Sequence, residues 1–279
     1  MTLLVGFNPD RDDQTAIELG ATLARSANQD LLVVSVVPAT WPTPVAGHTD
    51  REFERWAAER GAQAVAAAEG LLADHCGDIP SRAVWVPGRS VPAGLVGAAE
   101  EFGAAMIVIG SGHDGGYGHV HISSTADRLL HSSPVPVALA TRGYLASDHG
   151  KVRRATCAFR GDDVSGSTLA RTAEICQEVG ASLRIATFAV RGRTMYPPEV
   201  SVRTEDSLLE RWTEQAAASQ QQALVELGAA GVLPDNVETV IASGRSWGAA
   251  IDRLTWDRDD VLVVGSSSAA SILSRLFLG

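Results

Sequence analysis

Ile107-Val108-Ile109-Gly110-Ser111 returns near the end of the chain as Leu262-Val263-Val264-Gly265-Ser266, an aliphatic run closed by Gly-Ser in both places. Each run is short, rich in β-branched residues and free of polar alternation, the pattern of a strand covered on both faces. Neighbouring matches keep nearly the same separation. Glu54-Arg55-Trp56 recurs as Glu210-Arg211-Trp212, and Gly88-Arg89-Ser90 as Gly244-Arg245-Ser246. A period about one domain long marks tandem duplication of a whole domain, not a solenoid, whose repeats run to roughly 20 to 50 residues.

Outward from the first Gly-Ser, the apolar runs Leu3–Phe7, Leu31–Val37, Ala83–Val86, Met106–Ile109 and Val135–Ala140 read as strands. Helical patterns separate them at Gln14–Ala27, Arg51–His75 and Pro92–Phe102. Strands alternating with helices predict a parallel sheet, and right-handed crossovers then place helices on both of its faces. The second copy repeats the order at Arg154–Phe159, Leu183–Val190, Val237–Ile241 and Val261–Val264. The expected fold is α/β, two tandem doubly wound three-layer α/β/α domains. Domain one is expected over 1–141, a linker over 142–153 and domain two over 154–279. On the repeat spacing Gly279 falls opposite Ser124, so the second copy is expected to lack a terminal helix and a fifth strand. That predicts either a truncation or an edge completed by another chain, since an open strand edge is a liability.

Composition narrows the chemistry. At 279 residues, 45% hydrophobic and 20% charged, the chain is globular and neither disordered nor collagen-like. No apolar stretch approaches the roughly 18 residues of a membrane span, and Met1–Asp10 lacks the basic flank of a signal peptide, so the expected location is the cytoplasm. A net charge of −10 argues against nucleic acid as a partner. Lys151 is the one lysine, which excludes a Walker-type phosphate loop and a pocket-lysine mechanism. Cys76, Cys157 and Cys176 are far apart with no CxxC, and read as reduced, buried thiols.

The chemical signal of the first copy is Gly110-Ser111-Gly112-His113-Asp114-Gly115-Gly116-Tyr117-Gly118, followed by Ser123-Ser124-Thr125 where a short helix opens. Ligands of open parallel sheets bind at such carboxyl ends. Backbone amides of a glycine turn followed by a helix N-terminus make a cradle for phosphate oxygens. Ser124 or Thr125 would either cap the helix or donate to a phosphate. The stretch also spells GxGxxG, yet no acid lies between Asp127 and Asp148 to hold a ribose, which excludes a dinucleotide fingerprint.

These residues, with His131-Ser132-Ser133-Pro134-Val135-Pro136-Val137 leading into the fifth strand, resemble a tandem universal stress protein over nearly the whole chain. The resemblance implies strand order 3-2-1-4-5 and ATP lying across the carboxyl ends of strands one, two and four. It also implies a loop of Gly, two residues, Gly, nine residues, Gly, then Ser or Thr. Gly110 and Ser124 match that loop, while His113 and Ser123 replace its second and third glycines. The family's ribose-holding acid falls on Asn8, and on Arg160 in the second copy; Val36 falls where backbone meets adenine. Asn8, Val36, Gly110, Ser111, Gly112, His113, Gly115, Ser123, Ser124 and Thr125 are the candidate nucleotide site, with ATP in domain one only. In copy two Arg160 and Ser268 stand against binding. The resemblance further implies a non-catalytic regulator in the stress response. A homodimer would form through Val135–Ala140, and an interaction scaffold without nucleotide is the alternative. Hydrolysis would need a base and a metal beside the phosphates, for which only Asp114 and His113 offer themselves.

Other groups read as structural. His113, His119 and His121 lack the further ligands a zinc site needs. Arg89 and Arg245 would lie on the ligand side of the sheet, but Ser90 and Ser246 beside them read as helix caps. Trp56 and Trp212 are expected to cover the sheets. The polar, Pro-bearing pieces 38–50 and 191–206 would fold over a ligand or serve as connections.

Overall fold

The computed structural model describes residues 1–11, 14–39, 49–112, 114, 116–147, 150–190 and 202–265. The chain divides into two compact units, Met1–Lys151 and Val152–Gly279. In the first, β1 (Thr2–Gly6), α1 (Thr15–Ala27), β2 (Asp30–Pro38), α2 (Thr49–His75), β3 (Ser81–Gly88), α3 (Val91–Glu101), β4 (Ala104–Gly110), α4 (Ser124–Ser132) and β5 (Val137–Ala140) follow one another. The five strands form one sheet in the order β3-β2-β1-β4-β5, and every pair is parallel. This is the doubly wound sheet that the alternation of apolar runs predicts.

Alternate side chains of each strand serve opposite cores. Leu3, Val5, Leu31 and Val33 meet α1 and α2, whereas Leu4, Leu32, Val34, Ile107 and Ile109 meet Leu95, Ala98 and Ala99 of α3 and Ala126 and Leu129 of α4. Small residues set how closely the layers approach. A Cβ at Gly20 of α1 would stand 2.5 Å from Val5 Cγ2, so the helix packs closely on the side chains of the strands. On β3 the Trp85 ring fills the notch left by Gly61 of α2, where a Cβ would come within 2.4 Å of it.

That notch corrects one expectation. Trp56 and Trp212 do not cover the sheets; they are 47% and 39% exposed, and Trp56 packs at a tilt on Phe53, ring centres 5.4 Å apart. The segment after β5 lies along α1. Tyr144 donates its hydroxyl to Thr22 Oγ1 at 3.2 Å, and Ala146 N–H donates to the Glu18 carboxylate at 3.4 Å. That carboxylate is also 2.9 Å from His75 Nδ1, so α1, the end of α2 and this segment share one polar joint.

In the second unit, β6 (Arg154–Ala158), α5 (Asp163–Val179), β7 (Ser182–Val190), α6 (Val202–Ala229), β8 (Val237–Gly244), α7 (Trp247–Ile251) and β9 (Asp260–Val263) repeat the scheme. Four parallel strands are ordered β8-β7-β6-β9. The face toward α5 and α6 keeps an apolar core of Cys157, Leu169, Leu183, Ile185 and Leu227. The opposite face does not. Where the first sheet pairs Leu4 with Leu32, the second pairs Thr156 with Arg184, and among the described residues Ala186, Ala242 and Leu254 form the buried cluster there. Arg184 is buried, held by Glu238 at 3.1 Å and by the Thr255 carbonyl, with its guanidinium 5.8 Å from the Trp256 ring centroid. The Thr156 hydroxyl, wholly buried, has no hydrogen-bond partner among the described residues. No described helix is long and apolar enough to cross a membrane.

Candidate functional site

Parallel strands all point their carboxyl ends to one side, so in the first unit residues after β1, the end of β2 and the loop after β4 meet at one rim. Asn8, two residues beyond β1, is exposed, and its side-chain oxygen accepts from Asp10 N–H at 3.0 Å. The oxygen is thereby engaged in a local turn, and the amide nitrogen is the group left to present as a donor. Val36, near the end of β2, is partly buried against α3: a Cβ at Gly88 or Gly94 would come within 2.7 or 2.6 Å of its methyl group. Those two glycines let the α3 turn close over β2.

Gly110 ends β4, paired with Ala140 of β5. Ser111 is buried and its hydroxyl accepts from His121 N–H at 2.7 Å; Gly112 N–H donates to the His121 carbonyl at 2.8 Å. These two bonds draw the ends of the loop together. The His121 ring lies against Gly112, where a Cβ would come within 2.7 Å of its Cδ2. His113 and Gly115 lie outside the described residues. Ser123 caps α4, accepting from Ala126 N–H at 3.2 Å, so the cap is one residue earlier than the sequence candidates Ser124 and Thr125. Ser124 is exposed in the first turn, and Thr125 follows half-buried. First-turn amides of a helix have no partner within it, so the N–H groups of Ser124 and Thr125 end the rim as outward donors.

The far side of the loop is tied to the chain that leaves β5. Gly118 N–H donates to the Arg142 carbonyl at 2.9 Å, and Arg142 N–H donates to the His119 carbonyl at 3.0 Å. The Arg142 guanidinium lies 4.9 Å from the centre of the Tyr117 ring. Gly143, with φ of +71°, packs under that ring so closely that a Cβ would come within 2.5 Å of Tyr117 Cδ1. None of Arg142, Gly143 and His121 in this closure is marked by a local motif; the contacts join segments far apart in sequence.

At the matching rim of the second unit, Arg160 pairs with Asp162, the capping residue of α5. Hydrogen bonds from the Ser165 backbone and side chain, and then from Arg160, hold the Asp162 carboxyl down at about 2. Phe188 stands where the first sheet has Val36, its ring 6.2 Å from Trp247. Ser90 and Ser246 cap α3 and α7, accepting from Ala93 N–H and Ala249 N–H, and both Arg89 and Arg245 are exposed. Ser268 lies outside the described residues. Among the described residues no group of three or more His, Cys, Asp or Glu side chains could hold a metal.

A sequence profile described as the universal stress protein family matches residues 1–141. Universal stress proteins of Mycobacterium bovis and Mycobacterium tuberculosis are 36% identical to this chain over 279 residues, covering all of it and 94% of each relative. The chain belongs to the universal stress protein family. A crystal structure of a universal stress protein from Archaeoglobus fulgidus superposes with a TM-score of 0.54 at 15% identity, over 90% of this chain and 82% of that one, which shows the shared fold.

Proposed function

We propose that this universal stress protein is a non-catalytic regulator of the stress response whose first unit takes an adenine nucleotide, ATP in the first instance. The carrying observation is the first turn of α4. Ser124, exposed, follows the glycine loop at the rim that Asn8 and Val36 share, with outward amides where a phosphate would lie. Asn8 would meet a ribose hydroxyl through its amide nitrogen, and the Val36 backbone would meet the base. Gly110, Gly112 and Ser123 shape the loop and its cap, and the Ser124 hydroxyl with the Thr125 amide supplies donors. His113 and Gly115 belong to the candidate set on sequence grounds alone.

The test begins with freshly purified protein, denatured so that any released nucleotide is identified by mass. ATP is then titrated into the emptied protein and into Ser124→Ala. Saturable binding weakened several-fold by the substitution supports the reading; a folded sample that carries no nucleotide and gives no binding heat overturns it. The second reading, an interaction scaffold without nucleotide, draws on the amides of Gly112, Gly118 and His119, which donate to the carbonyls of His121, Arg142 and Gly116. We also propose a homodimer through β5, whose outer edge has no partner in the sheet order. A monomer by light scattering at high concentration would exclude it.

A further inference from the structure

We infer that the cavity at the amino-terminal ends of β2 and β3 is a binding site for a small zwitterion of the amino-acid class. It lies at the opposite end of the strands from the rim of Asn8 and Ser124, and it stands or falls apart from the nucleotide reading. The cavity holds about 510 Å³, and Arg25, Asn28, Gln29, Asp30, Asp78 and Lys151 supply its polar walls. That volume is within the roughly 300–1,000 Å³ that small-molecule sites span. All six residues belong to the first unit.

Local structure builds the walls. Asn28 closes α1 in the left-handed region, at φ of +50°, which asparagine tolerates better than most side chains. Its N–H and that of Gln29 both donate to the Ala24 carbonyl, and this double bond to one acceptor turns the chain from helix to strand. Across the cavity, Leu31 N–H donates to the Pro80 carbonyl at 2.9 Å, which fixes the turn before β3 beside β2. Arg25 joins the two sides. Its Nε and Nη2 donate to Asp78 at 2.7 and 2.9 Å, and Nη2 donates also to the His75 carbonyl at 2.6 Å.

Two polar groups of opposite kind are left over. The Arg25 side chain is 6% exposed, and among the described residues nothing accepts from its Nη1. Gln29 Oε1 is buried and has no hydrogen-bond partner among the described residues. A buried acceptor without a donor is costly and uncommon, and a ligand that brings a donor relieves it. Lys151 adds an exposed ammonium, acting as a fixed charge and not as a nucleophile, and Asp30 adds an exposed carboxylate. The walls thus call for an anionic group at Arg25 and Lys151 and for a cationic donor at Gln29 and Asp30. One molecule meets both demands when it carries a carboxylate and an ammonium a few bonds apart. A polyphosphate does not, because Asp30 and Asp78 repel it and it brings no donor to Gln29.

The test uses the full chain. The twenty L-amino acids are screened by ligand-observed NMR, and a binder is then titrated into wild type, Gln29→Met and Lys151→Met, alongside its N-acetyl and methyl ester forms. At least one amino acid should bind saturably. Gln29→Met should weaken it about tenfold, the scale of a hydrogen bond to a charged group. Lys151→Met, at an exposed position, should weaken it about two- to fivefold. Each derivative loses one of the two charges and should bind several-fold more weakly than its parent. Both variants leave the Arg25–Asp78 pair intact, and urea midpoints near that of wild type check that the fold is kept. A folded wild type that binds none of the twenty overturns the inference. So does an affinity unchanged in either variant, or a derivative that binds as well as its parent.

Discussion

Asp162 does two things at the head of α5: it caps the helix through Ser165 N–H at 2.9 Å and it pairs with Arg160. Both favour its ionised form, which is why the folded chain holds it at about 2 against 3.8 for the ordinary group. A carboxyl with a depressed folded value contributes its stability in full above 3.8, and that contribution is lost as pH falls from there toward about 2. Asp162→Asn keeps a good cap and loses the charge. Denaturation curves recorded at a series of acidic pH values should thus show a shallower fall through this window in the variant than in wild type. The same residue explains why Arg160 is a poor stand-in for an acid at the second rim: its guanidinium is already matched by the cap beside it. That much was legible in the sequence, because Arg160 cannot accept a hydrogen bond whatever its surroundings. The local role of Asn8 was not, since the turn that occupies its oxygen depends on backbone geometry.

Elements were the scale at which the sequence spoke most clearly. Each apolar run became a strand, with ends shifted by at most three residues, and the long Ala-rich stretch became α2, as its lack of proline allows. Helix faces were harder. Trp56 is apolar and falls within α2, but the sheet-facing side of that helix at this level is the notch at Gly61 that receives Trp85, a contact visible only when both elements are placed. The same closeness makes a prediction for α1. Gly20→Ala gains roughly 1 kcal/mol of helix propensity but drives a methyl into the buried, stiff Val5. Overpacking of this kind costs about 1–3 kcal/mol, so the net effect should be a lower midpoint in urea. Adding Val5→Ala should recover part of the loss, and the double-mutant cycle measures the coupling. Two fully additive losses would show that α1 does not meet β1 through this pair. The loop after β4 was legible as glycine-rich and so as a place for close backbone approach. Its closure was not, because Tyr117 meets Arg142 and Gly143 across an intervening helix and strand.

For the molecule as a whole, duplication was plain from the repeated Gly-Arg-Ser and Glu-Arg-Trp triplets, and the two parallel sheets follow from it. The extent of the first unit was less plain. A linker was expected over 142–153 from the spacing of the repeats, and within it Tyr144 and Ala146 are bonded to Thr22 and Glu18 of α1. Copies of one plan have also diverged in substance. The first sheet is packed with hydrocarbon on both sides, while one side of the second replaces Leu4 and Leu32 by Thr156 and Arg184. Burying apolar surface strengthens with warming only up to a plateau, and a lone buried hydroxyl gives back part of what its neighbours gain. The two halves should therefore melt in sequence. Calorimetry on the intact chain is expected to resolve two endotherms, with Thr156→Val raising the earlier one and leaving the later in place; a single endotherm that moves as one would show the halves to be thermally inseparable. Heat would then disarm this protein from its carboxyl-terminal half first, and the half that carries the glycine loop would be the last to go.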